Sequence, residues 1–393
     1  MLTPDYLITI ADGATEQAAQ LHDWIINAIL KRVIARYERT GDIVFSATDK
    51  WQLETLQQSG ELMKELRKEL AKKTGAEAKE ISKALKDAGV ETLTQDAKFY
   101  RAAGIDGSIG LSPEMTRIIA RQYEVTMGLW SNYTATTAES VQKTFIDECD
   151  LAYRLMQSGG YDYATAVAGA VRRIAGDGLK TVKYPSGHED TIEVATLRAV
   201  RTAAGQTAGQ ITATRAAEYG ISLFMTSAHI GARPTHFPWQ GKVFWVDWTK
   251  FPYPISETYQ EAPEEYRERY PEFCETTQIG SVTGLCGVNC RHSFMPYIEG
   301  VSYNPNKDYD SEENLKRYEQ TQRQRAMERK IRKQKRELQG FEMGLPECQE
   351  DYDRTLAKLR RMTAAYYQYC RDTGLKPREI SLYTGGQTNR PKD

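Results

Sequence analysis

The stretch from Ser227 to Gly300 constrains this chain most, because it concentrates side chains that long charged helices seldom carry. It opens as SAHIGARPTHFPWQGKVF and closes through GLCGVNCRHSF. Three of the five histidines (His229, His236, His292) and three of the six cysteines (Cys274, Cys286, Cys290) fall inside it. So do three of the six tryptophans, Trp239, Trp245 and Trp248. Both flanks are long, charged and periodic at helical spacing. The pattern predicts a compact aromatic module between two helical arms.

Length and charge bound what surrounds that module. A chain of 393 residues has room for two or three domains at about 100–200 residues each. Its 52 basic and 53 acidic residues give a net charge of −1, which excludes a global field for nucleic acid or membrane. Mean hydropathy is −0.59, suited to helices with large exposed faces. No apolar run reaches the roughly 18 residues of a membrane span. The start MLTPDYLITIADG lacks the basic and apolar segments of a secretory signal. Six scattered cysteines do not make a disulfide framework and suit a reducing compartment.

Apolar periodicity predicts helices over 17–39 and 51–73, the second with Leu53, Leu56, Leu62, Leu66 and Leu70 on one side. Gly41 reads as a stop, and Gly75, Gly89 and Gly104 as breaks between shorter pieces. Ser112-Pro113 is a start signal for a helix reaching Gln157, ended by Gly159-Gly160. A further helix covers 164–174. The alternating run 179–194, with Pro185-Ser186-Gly187 at its middle, reads as a β-hairpin. A helix over 195–219 is capped by Gly220. Strands are expected over 221–227, 242–247 and 289–296. Residues 257–275, with seven acids against two arginines, read as an acidic surface excursion. The tail is expected to be helical over 311–339 and 348–371, with a break at 340–346 and a stop at Gly374. The fold class expected is α+β, predominantly α: a helical N-terminal region (1–178), a small mixed α/β module (179–301) and a long helical C-terminal tail (302–393).

Two motifs in the module carry chemistry. In CGVNCRH, Cys286 and Cys290 lie four apart, and His292 follows Cys290 by two, on the same side if the segment is extended. Cys286, Cys290 and His292, completed by His236 or His229, are a candidate zinc set. The competing reading makes the thiols small buried hydrophobes and His292 a backbone hydrogen-bond partner. In HIGARPTHFPWQGKVF, Pro234 holds Arg233 extended, and Gly231 and Gly241 permit turns. His229, Arg233 and His236 form either an anion- or water-binding cluster or, as favoured, a structural loop stacked on Trp239. They lack a nucleophile and a carboxylate base. The glycines Gly280, Gly284 and Gly287 match neither the P-loop nor the dinucleotide pattern and predict a flexible or tightly turned loop. These motifs leave a metal-dependent hydrolase or nuclease as the alternative to a structural protein.

The two motifs together, with Arg291 in the second, resemble the minor capsid protein 2 family of tailed bacteriophages. That family looks distantly related to the Mu-type and SPP1-type head morphogenesis proteins. MLTPDYL, YEQTQRQRAMERKIRKQKRE and TGLKPREI extend the resemblance over most of the chain. The resemblance implies a low-copy structural protein of the virion, made in the host cytoplasm and placed in the capsid interior or at the portal vertex. Its implied partners are the portal and other head proteins, and packaged DNA, with roles in head assembly and in DNA packaging or ejection.

The segment Leu315 to Gln339 holds ten basic residues against three acids, a net of +7. Such runs are usually solvated faces. Here the excess predicts a polyanion-binding helix through Arg329, Arg332, Lys333 and Arg336, with DNA binding that is sequence-independent and salt-sensitive.

Overall fold

A computed structural model of the chain describes residues 2–40, 48–157, 162–176, 178–184, 187–255, 259–382 and 384. The α+β, predominantly helical class is what the chain adopts. Contacts divide it into two units, each drawn from three stretches of sequence.

The first unit comprises Met1–Ala14, Ala78–Leu129 and Thr196–Thr321. It contains α1 (Pro4–Thr9), the second part of α3 (Thr48–Ala102), the start of α4 (Pro113–Gln157) and nearly all of α6 (Ile192–Glu218). Thr3 caps α1 by accepting from the Tyr6 N–H, and Ser112 caps α4 by accepting from the Met115 N–H. Helix α6 is the spine of this unit. Residues 207–217 of it are all buried, which a run of Ala, Gly and Thr allows because neighbours can approach from every side. One cluster joins Val200, Ala204 and Ile211 of α6 to Leu7, Leu85 and Met115. A second joins Ala213, Ala216 and Ala217 to the sheet aromatics.

That sheet has the order β4 (Val243–Trp245), β3 (Leu223–Thr226), β5 (Phe294–Pro296), all antiparallel. Phe224 pairs with Phe244 on one side and Pro296 on the other, and its ring meets Phe273 and Phe294 at 5.1 and 4.9 Å. The short helices α7 (Glu264–Arg269) and α8 (Phe273–Thr277) lie between β4 and β5 in sequence. Helix α7 buries none of its residues, as expected for an acidic excursion, but the excursion ends before α8, whose Phe273 and Cys274 are buried in the core; Glu257 and Thr258 lie outside the described residues.

The second unit comprises Thr15–Glu77, Trp130–Ala195 and Gln322–Asp393. It holds most of α2 (Asp12–Thr40), the first part of α3, the end of α4, and α5 (Tyr163–Val171) with a π turn to Gly176. The hairpin β1 (Val182–Lys183) and β2 (Glu189–Asp190), most of α9 (Ser311–Met343), α10 (Gln349–Thr373) and a closing 3-10 turn complete it. Leu21, Ile25, Ile29 and Val33 of α2 are buried at the expected spacing.

Several expectations are corrected. Helix α3 runs unbroken through Gly75 and Gly89. A Cβ on Gly89 would meet Ile211 at 2.8 Å and Ile119 at 3.2 Å, so this glycine makes room for packing and does not end a helix. Gly340 likewise lies within α9, against Val171 and Leu30. Leu53 and Leu56 are each 60% exposed, while Leu62 and Leu66 are buried. The buried face of α3 is Trp51, Thr55, Ser59, Leu62 and Leu66, the set that steps by three and four. Its polar members are used: the buried Arg36 donates to Thr55 Oγ1 at 2.7 Å and to the Trp51 carbonyl at 2.8 Å. Strand β5 starts at Phe294 and not at Asn289, whose φ of 56° is incompatible with a strand. The turn residues Gly41, Gly159, Gly160, Pro185 and Ser186 lie outside the described residues. No described helix is long and apolar enough to cross a membrane.

Candidate functional site

The loop that carries the first motif leaves β3 at Thr226 and returns through Gly241 into β4. Thr226 Oγ1 donates to the Trp239 carbonyl at 2.8 Å, which closes the loop at its base. Ser227 N–H donates to the Ser293 carbonyl at 2.8 Å, and Ser293 N–H to Ser227 Oγ at 3.0 Å. Pro234 fixes φ at the second position of a turn in which His236 N–H donates to the Arg233 carbonyl at 2.8 Å. Gly241 has φ +70°, so a left-handed residue turns the chain into β4. The charged side chains of the motif secure backbone: Arg233 donates to the Val288 carbonyl at 2.9 Å, and Arg291 to the Gly231 carbonyl at 3.3 Å.

A further clamp on this loop has no signature in the sequence. Buried Asn314, from the first turn of α9, accepts the N–H groups of Gly231 and Ala232 at 2.8 and 2.9 Å and donates to the Ala232 carbonyl at 2.9 Å. Asn306 accepts the Ala228 N–H at 2.7 Å and donates to the Thr226 carbonyl at 3.1 Å. An asparagine carries donor and acceptor on one amide, but nothing in its spacing points to a loop some 80 residues upstream.

Inside the loop, His236, Cys290 and His292 converge, only 1%, 6% and 2% exposed. The two Nδ1 atoms lie 3.3 Å apart, and Cys290 Sγ is 3.8 Å from each. The tautomers follow from the outer partners. His236 Nε2 faces the Thr283 carbonyl at 2.7 Å and must donate to it. Gln240 Oε1 accepts the His229 N–H at 3.1 Å, so the same oxygen accepts from His292 Nε2 at 3.2 Å. Both Nδ1 atoms therefore present lone pairs inward. His229 donates through Nδ1 to its neighbour's carbonyl at 3.2 Å and stacks on His292 at 4.3 Å. Trp239 covers His236 and His292 at 4.6 and 4.8 Å.

Burial keeps these rings neutral. With the nearby Arg291 cation it lowers His229 to about 3, and with Arg233 it lowers His236 to about 4 against the pull of the Thr283 carbonyl. His292 is held well below the usual imidazole range by burial and by its two histidine neighbours. Burial pushes the Cys290 thiol up.

Cys286 does not join this group. Its φ is +58°, and its sulfur sits against α6, 3.2 Å from where a Cβ on Gly209 would lie. It is a packing residue, pushed well above the usual thiol range by burial. The glycine-rich segment is a tight turn, as expected. A Cβ on Gly284 would fall 1.9 Å from the Gln278 carbonyl oxygen, and one on Gly287 2.5 Å from that of Val282.

The basic helix is placed differently from the expectation. Arg336 is buried and donates to Glu193 at 2.6 Å and Asp23 at 3.2 Å. His22 Nδ1 lies 2.9 Å from a Glu193 carboxylate oxygen, and its Nε2 accepts the Leu179 N–H at 3.0 Å. Arg332 and Lys333 are half-buried, while Arg329 and Lys330 are exposed. Buried Glu328 pairs with Arg378 of TGLKPREI and accepts from Tyr366 at 3.1 Å. Arg336 is therefore a core ion-pair partner and not a surface cation.

The central cluster can hold a loop and offers ligand atoms to a cation, but no described Asp or Glu joins it as a base. A protein named "Structural protein" from Lactococcus phage LL-H is 30% identical over 149 residues, 38% of this chain and 37% of that protein. Another of the same name, from Lactococcus phage mv4, is 36% identical over 104 residues, 25% of this chain and 84% of that protein. The chain thus spans little more than a third of the first relative. No solved structure matches it significantly. The family model described as "Phage minor capsid protein 2" matches residues 2–368. The chain belongs to that family of phage minor capsid proteins.

Proposed function

We propose that this chain is a low-copy structural component of a tailed-phage head, seated at the portal vertex on the interior side. There it binds portal and other head proteins and takes part in head assembly and in DNA packaging or ejection. The supporting observation is the family match over residues 2–368, and family membership implies a place in the virion. The site agrees with a structural role. Arg233, Arg291 and His236 donate to loop carbonyls and His292 to Gln240, and the Cys290 thiol and the inward Nδ1 atoms are buried. A hydrolase or nuclease would need an accessible centre with a base beside it. In this reading the module is a rigid anchor and the helical arms do the binding. Cross-linking of assembled particles followed by mass spectrometry tests it: cross-links from this chain to the portal subunit are expected. A chain that cross-links only to the major coat protein, or is missing from purified particles, would contradict the placement.

A further inference from the structure

We propose that His236, His292 and Cys290 bind one zinc ion, the imidazoles through Nδ1 and the cysteine as thiolate, with water in the fourth position. The proposal is independent of the placement at the portal.

The first ground is shape. Zinc bonds of about 2.0–2.1 Å to nitrogen and about 2.3 Å to sulfur, at tetrahedral angles, put ligand nitrogens about 3.3 Å apart and nitrogen and sulfur about 3.6 Å apart. The three edges observed are 3.3, 3.8 and 3.8 Å. The atoms already outline one face of a zinc tetrahedron.

The second ground is proton accounting. Both Nε2 atoms must donate, to the Thr283 carbonyl and to Gln240 Oε1, so both Nδ1 lone pairs point into the cluster. Without a cation, the Cys290 thiol is the only proton inside the triangle. It can serve one nitrogen and leaves the other facing a lone pair 3.3 Å away in a buried site. An unpaired buried acceptor is costly. A divalent cation resolves the mismatch, since it accepts both lone pairs and the sulfur at once and sends the thiol proton to solvent.

The third ground is the surroundings. A ligating histidine typically donates its other N–H to a carbonyl or carboxylate, which fixes ring and tautomer; here a backbone carbonyl and a glutamine oxygen do so. Two imidazoles and one thiolate form a borderline-soft set that suits zinc. No fourth His, Cys, Asp or Glu joins the group among the described residues. With ligands only 1–6% exposed, such an ion would cross-link the 233–240 turn to the segment entering β5.

The test uses the full chain without a histidine tag, freed of metal with a chelator and titrated with cobalt(II), then zinc. About one cobalt per chain is expected, with a thiolate-to-cobalt charge-transfer band and the visible bands of four-coordination, all lost when zinc displaces it. Cys290→Ser should remove the charge-transfer band, and Cys286→Ala should leave it intact. Should Cys290→Ser fail to fold, the wild-type stoichiometry and spectrum still decide. Folded wild-type chain that takes up neither metal overturns the proposal. So does cobalt bound without a thiolate band, or a band that depends on Cys286 and survives Cys290→Ser.

Discussion

Single residues in the central loop act by geometry that leaves no slack. A methyl group on Gly284 would sit 1.9 Å from a backbone oxygen, whereas one on Gly241 would meet an unfavourable φ, Ala228 at 3.2 Å and Asn306 at 3.5 Å. Gly284→Ala should therefore cost about 3 kcal/mol by overpacking, and Gly241→Ala about 1 kcal/mol. Denaturant midpoints of the two variants check the order; equal effects would mean the Gln278 carbonyl moves freely. Asn314→Ala would strip the partners from three backbone groups of Gly231 and Ala232. At roughly 1 kcal/mol or more per orphaned buried group, a loss of about 3 kcal/mol is expected, and a variant as stable as wild type would remove the clamp from the account. The motif residues themselves were legible because glycine, proline and paired thiols have few uses. Cys290 and His292 do converge, although the strand whose alternation would have placed them on one side begins only at Phe294. Cys286 was misplaced in the metal set because spacing alone cannot show a left-handed residue turning its sulfur onto α6. Asn314 was invisible because its partners are backbone atoms distant in sequence.

Among the elements, helix boundaries were readable where capping and periodicity agreed, as at Ser112-Pro113 and Gly374. They were misread where a glycine serves packing, as at Gly89 and Gly340, because a sequence does not show which neighbour presses against the missing Cβ. The same blindness applied to α9. Counting only its own acids left its charge uncompensated, but Asp23 and Glu193 compensate Arg336 from other helices. Arg336→Glu should thus destabilise by about 3–5 kcal/mol, because it leaves like charges together in a buried site. Arg329→Glu and Lys330→Glu, both exposed, should change stability by less than about 0.5 kcal/mol. If α9 meets DNA, that double reversal should weaken binding of the folded chain and flatten its salt dependence; unchanged binding would assign those cations to solvent. Glu193 adds a pH signature. Despite burial, His22 and Arg336 hold its carboxyl well below the usual carboxylate range. A depressed carboxylate contributes stability that is complete above the unfolded value and lost as pH falls through the folded one. Melting temperature should therefore decline below about pH 4.5, and Glu193→Gln should show a shallower decline; parallel curves would rule the network out as the cause.

For the whole molecule, family membership is shown, and the proposal built on it is that this chain takes its place in the head at the portal vertex. The α+β class and the family were both readable from residues 227–300 and the flanking helices. The division into two interleaved units was not, since α3, α4, α6 and α9 each contribute to both and sequence patterns mark helices without marking which core they serve. Recruitment at the portal vertex, as proposed, would make the amount of this chain in a particle depend on one other protein. The most direct measurement is its copy number, by quantitative mass spectrometry, in heads assembled with and without the portal protein. The account predicts a few copies per head when the portal is present and a loss to background when it is absent. Undiminished copy number in portal-free heads would contradict it.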